Sequence, residues 1–85
     1  MRIFPTAKFE RDYKRLPDLL KEKAEIALEI FKANPSEPRL RTHKLHGRFA
    51  GYWAFTVAFD CRIIVRYGKT DEIFLIAIGN HGMYD

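Results

Sequence analysis

Histidine is the side chain best suited to accept and release protons near neutral pH, and this chain has three: His43, His46 and His81. Two of them stand in PRLRTHKLHGR, residues 38 to 48, a stretch with four cationic side chains and no acid. The third lies in GNHGMYD, and Arg62, in CRIIVRY, falls between the two groups. RNA cleavage needs a base for the 2′-hydroxyl, an acid for the leaving 5′-oxygen and a cation for the crowded phosphate. Two imidazoles and a guanidinium supply all three without a metal.

Each group also has a plainer reading. A loop histidine is more often solvated or a cap than catalytic, and Arg62 could pair on its strand with Asp60 or Glu72. HKLH places two imidazoles three residues apart, and His81 or Cys61 could complete a metal set. Without a CxxC, and outside a helix, that spacing fixes no geometry, so neither a metal nor a cofactor is expected. The aromatic run Tyr52, Trp53, Phe55 and Phe59 reads as core and edge packing ahead of a base-stacking platform.

The elements that must position these groups are legible in outline. MRIF, stopped by Pro5, suits an edge strand, and Thr6 can cap a helix whose Phe9, Tyr13 and Leu16 share one face. Pro17 ends it. Asp18 can cap a second helix with an apolar stripe of Leu19, Leu20, Ile26, Ala27, Ile30 and Phe31, stopped by Asn34 and Pro35. Gly47 and Gly51 bracket a turn before the strand YWAFTVAF; Asp60 and Cys61 make a turn or bulge, CRIIVRY is the next strand, GKTD a hairpin turn, and EIFLIAI the last strand.

Strands joined this closely form an antiparallel meander. The expected fold is α+β, two N-terminal antiparallel helices on one face of a small, mainly antiparallel sheet, with residues 1–85 forming one domain. Leu20, Ile26, Ile30, Phe31, Ile63 and Val65 are the expected core. Alternation puts Ile63, Val65 and Tyr67 under the helices and Arg62, Ile64 and Arg66 on the open face, where a ligand could reach both arginines.

Eighty-five residues with 47% hydrophobic and 14% aromatic content exclude a disordered chain. A net charge of +4 and a pI near 9.4 favour an anionic partner without choosing among nucleic acid, acidic protein and lipid. A lone cysteine, Cys61, permits no internal disulfide. No stretch has the apolar run of a signal peptide or a membrane span. A cytoplasmic protein with no membrane partner is expected.

Read together, HKLHGRFAGYWAFTVAFDCRIIVRY and IAIGNHGMYD resemble the RelE/ParE superfamily of bacterial toxins, especially its RNA-cleaving branches related to YoeB and YafQ. The resemblance covers most of the chain: the helical hairpin ending in ANP, the L-x-G turn, GYW opening a strand, the D-x-R-I-I-x-R strand, and G-x-H with a nearby tyrosine. It rests on the order and spacing of these pieces.

The resemblance implies a twisted sheet with two helices on one face and an active concave face on the other. It implies a toxin of a type II toxin–antitoxin system that cuts messenger RNA threaded through the ribosome, monomeric when alone and held inactive by an acidic antitoxin. His43 falls at the position of the general base, Arg62 at the phosphate-steadying arginine, His81 at the general acid and Tyr84 at the aromatic beside it. Lys44 and Arg48 are then the phosphate contacts, with Arg39 and Arg41 as longer-range attraction and His46, Asp60 and Arg66 as further RNA contacts.

There are departures. Trp53, Phe55 and Val57 stand where some members carry basic side chains, which implies binding through the loops. Asp60 matches an acid of the YafQ-like branch, but Thr56 replaces that branch's histidine, and only Asp85 follows Tyr84. Two other functions remain open: a gyrase-inhibiting toxin of the ParE kind, which has no need of this acid/base set, and a non-catalytic basic RNA-binding module.

Overall fold

Pro5, Pro17 and Pro35 interrupt the first half of the chain, and in the computed structural model, which describes residues 1–80, they separate β1 (Arg2–Pro5), α1 (Ala7–Lys14) and α2 (Asp18–Ala33) from one another and from the later strands. Thr6 caps α1 as expected, accepting from the Phe9 amide at 3.2 Å. Its hydroxyl also donates to the Leu75 carbonyl at 2.8 Å, which ties the start of the helix to the sheet. Asp18 is not the cap of α2. Pro17, extended at φ −59° and ψ 153°, occupies that position, and Asp18 becomes the first helical residue, where its carboxylate still favours the helix dipole.

The buried side of α2 is Ala24, Ala27 and Phe31, with Leu20 and Ile30 half-buried. Ile26, an expected core residue, is instead 61% exposed, and Leu19 is 62% exposed. Residues 20, 24, 27 and 31 form one face at helical spacing, and small alanines at its centre let the helix lie close on the sheet. Ile26 and Leu19 belong to the flanking stripe.

Five strands form one sheet in the order β1-β5-β4-β3-β2, with β3 at Trp53–Ala58, β4 at Cys61–Tyr67 and β5 at Glu72–Gly79. β1 runs parallel to β5, and the other pairs are antiparallel. β2, His43–Lys44, was not foreseen as a strand; two residues carry no periodicity, and only pairing with Ala54 and Trp53 defines it. The β3–β4 turn is at residues 59–60, so Cys61 opens β4 instead of sharing the turn. GKTD turns as expected, closing with the Glu72 amide on the Lys69 carbonyl at 3.0 Å.

Two cores sandwich the sheet. Beneath the helices, Phe31 stacks on Phe55 with centroids 4.4 Å apart, surrounded by Ile63, Val65, Ile73 and Leu75. Full burial of one such phenyl ring contributes about 2–3 kcal/mol. Ile63 and Val65 meet the helices as expected. On the other face, Leu45, Ala54, Ile64 and Ala77 form a smaller core flanked by Phe49, Tyr52 and Ile76. The register slips there: Ile64 pairs with Ala77 and Val65 with Leu75, which leaves Ile76 as the extra residue of a bulge.

Candidate active face

Residues directly opposite each other across antiparallel strands point to the same face. His43 pairs with Ala54, Ala54 with Ile64, and Ile64 with Ala77, so these four form one row on the face away from the helices. The next row is Thr56, Arg62 and Gly79. His43 and Arg62 therefore share a face in adjacent rows, with Cα atoms about 12 Å apart by ordinary sheet spacing. Side chains of this length can meet a phosphate between them without touching each other.

His43 is exposed, and its Nδ1 lies 2.8 Å from the Arg41 carbonyl oxygen. A carbonyl can only accept, so Nδ1 carries the hydrogen and the neutral ring presents a lone pair at Nε2. Arg41 adopts the left-handed conformation, φ 51°, at the end of the 3₁₀ turn Pro38–Leu40, which brings its carbonyl to the ring. The local fold thus favours the tautomer in which Nε2 is the nitrogen able to accept a proton.

Arg62 is half-buried and more constrained than an ordinary strand arginine. Its Nη1 donates to the carbonyls of Ala58 at 3.0 Å, Phe59 at 3.2 Å and Cys61 at 3.3 Å. Peptide carbonyls orient a guanidinium without cancelling its net charge. Glu72, one candidate partner, pairs with Arg2 at 3.3 Å instead. No described residue accepts from Nε or Nη2 of Arg62, so that edge can meet an anion. Arg66 lies at the far end of the same face with its guanidinium 5.1 Å from the Phe74 ring centroid.

Lys44 is placed differently from the expectation. It pairs with Trp53, whose ring packs against the helix-side core, and its Nζ lies 5.5 Å over that ring. Consecutive strand residues alternate, so Lys44 faces away from His43. Arg48 stays on the His43 side of the sheet over the Phe49 ring, 5.5 Å from its centroid. It lines a hollow of about 300 Å³ with Lys8, Tyr52, Ile64 and Ile76 among others. His46 is exposed at the start of the 3₁₀ turn Gly47–Phe49. Asp60 is exposed in the β3–β4 turn, two residues before Arg62. His81 and Tyr84 lie outside the described residues.

The sequence reading missed Lys8, which α1 brings to the same hollow with its Nζ paired to Asp12 at 2.9 Å, and Thr56, whose Oγ1 is buried with no hydrogen-bond partner among the described residues. A buried orphan hydroxyl costs about 1–3 kcal/mol, and this one stands in the row of Arg62. Trp53 and Phe55 turn toward the helix-side core, and Val57 packs there too, so basic residues at those positions would not face His43. Cys61 is buried in the same core, and burial pushes its thiol pKa up, opposite to the activation of a nucleophile. Among the described residues no three His, Cys, Asp or Glu side chains converge as metal ligands would.

With these positions fixed, solved structures provide a comparison. The YoeB/ParE toxin from Agrobacterium tumefaciens superimposes with a TM-score of 0.79 at 24% identity, over 95% of this chain and 99% of that one. YafQ from E. coli gives 0.71 at 23% identity, over 96% of each chain. The toxin–antitoxin complex RelBE2 from Mycobacterium tuberculosis gives 0.67 at 17% identity, over 94% and 96%. No protein-family model matches the sequence, and no curated protein matches it. The fold is the RelE-like toxin fold, as expected from the sequence.

Proposed function

We propose that this protein is the toxin of a toxin–antitoxin pair and cleaves messenger RNA on the face that holds His43 and Arg62. The observation that carries this reading is the Nδ1 contact of His43, which leaves Nε2 as a base on the same face as a guanidinium. In the proposed reaction His43 takes the proton of a 2′-hydroxyl, whose oxygen attacks the adjacent phosphorus. Arg62 stabilises the charge gathering on the phosphoryl oxygens, and His81 protonates the departing 5′-oxygen. No metal enters these steps. Arg48 and Arg66 flank the face with positive charge that holds the RNA backbone, and Lys8, paired with Asp12 at 2.9 Å, lies beside them.

The ribosome is the proposed place of cleavage and the cytoplasm the compartment. A cognate acidic antitoxin, parallel to the partner in the RelBE2 complex, is the proposed inhibitor. The test is a translation extract given a defined messenger RNA and the purified protein. Discrete cuts that disappear when the acidic product of the adjacent gene is added are expected. Intact messenger RNA, together with inhibited supercoiling by DNA gyrase, would replace this reading with the ParE-like one.

A further inference from the structure

Six large apolar side chains are exposed among the described residues, and five of them, Met1, Phe4, Leu19, Ile26 and Tyr67, are between 38% and 62% exposed. Phe59 is 98% exposed. Its ring gains almost nothing from folding, at a turn position where a small polar residue would ordinarily serve. The expectation that it packs with Tyr52, Trp53 and Phe55 fails because the turn at residues 59–60 carries it past the end of β3. An isolated exposed phenylalanine is unremarkable by itself. This one is attached to the proposed site: its own carbonyl accepts from Nη1 of Arg62 at 3.2 Å.

A cation and a solvent-facing aromatic ring held at the same end of a sheet match what single-stranded nucleic acid offers, a phosphate followed by an unstacked base. We propose that Phe59 is a base-stacking residue that receives the nucleobase adjoining the phosphate held by Arg62. It thereby gives the site a preference for a purine, the larger stacking surface, at that position. The nucleic-acid ligand rests on the function proposed above. An apolar segment of a protein partner is the competing occupant. The guanidinium fixed to the same turn and the net charge of +4 favour the polyanion.

Because the ring buries nothing, its removal tests binding without disturbing the core. The probe is a short single-stranded RNA with 2-aminopurine beside a 2′-deoxy position, so that it binds without being cut at that linkage. Parent protein and Phe59→Tyr should quench the probe, whereas Phe59→Ala and Phe59→Leu should not, and Phe59→Ala should bind about 10- to 100-fold more weakly. In parallel cleavage assays the purine preference of the parent should collapse in Phe59→Ala. Equal quenching by the leucine variant, or unchanged RNA affinity with lost affinity for the neutralising partner, would overturn the assignment. A parent that binds through Phe59 but cuts nothing would remove the nuclease reading and leave stacking. A Phe59→Ala variant that cuts with parental rate and preference would do the reverse.

Discussion

Replacing His43 with glutamine is expected to slow RNA cleavage by about 10²- to 10⁴-fold and to leave the fold intact. The ring is exposed and its described hydrogen bond is to the Arg41 carbonyl, so little stability depends on it. Glutamine is polar and of similar reach, but it cannot take a proton from a 2′-hydroxyl. His43→Glu should retain more activity than His43→Gln, because a carboxylate is still a base. If His43 acts neutral while the proton donor acts protonated, the parent rate should fall on both sides of a pH maximum. Loss of His43 should abolish the acid-side fall. Equal rates for the glutamine and glutamate variants would exclude His43 and make His46 the next base to test.

Arg62→Ala is expected to lose about 10²- to 10³-fold in cleavage, the scale seen when one preorganised group facing developing charge is removed. The structure adds a second effect. Three carbonyls around the β3–β4 turn lose their shared donor, at a cost of about 1–3 kcal/mol. For a domain of this size that lowers the melting temperature by roughly 5–20 °C, so the variant should be assayed well below its own transition. Arg62→Lys separates the effects. It keeps the charge but cannot span the carbonyls and the phosphate together, so cleavage should remain depressed. A folded Arg62→Ala protein that cuts at the parental rate would exclude the phosphate role.

The helices and four of the five strands were legible because periods of 3.6 and 2 survive in Phe9 to Leu16, in the α2 stripe and in CRIIVRY, and because turn residues bound MRIF, YWAFTVAF and EIFLIAI. What escaped was set by contacts distant in sequence. The stripe of α2 holds more apolar residues than one face can bury, and only packing shows that Ala24 goes under while Ile26 stays out. β2 exists because β3 lies beside it, so neither its presence nor the outward turn of Lys44 could be read from two residues. The second core had a signal that went unused: apolar runs in both β4 and β5 mean burial on both faces, and Ile64 with Ala77 lies under Leu45. At the site, residue types pointed to His43 and Arg62, and their order to a toxin. The tautomer of His43 and the exposure of Phe59 depend on turns whose geometry no pattern announces.

The central claim, that the 2′-hydroxyl of the RNA is the nucleophile, is tested most directly by one substitution in the substrate. An RNA that the protein cuts is remade with hydrogen in place of the 2′-hydroxyl at the cleaved nucleotide alone, and both versions are followed in parallel at matched occupancy. The account predicts that the deoxy version binds and survives uncut at that position. Cleavage of both at equal rates would mean that water or another nucleophile attacks the phosphate, and the proposed roles of His43 and Arg62 would not stand.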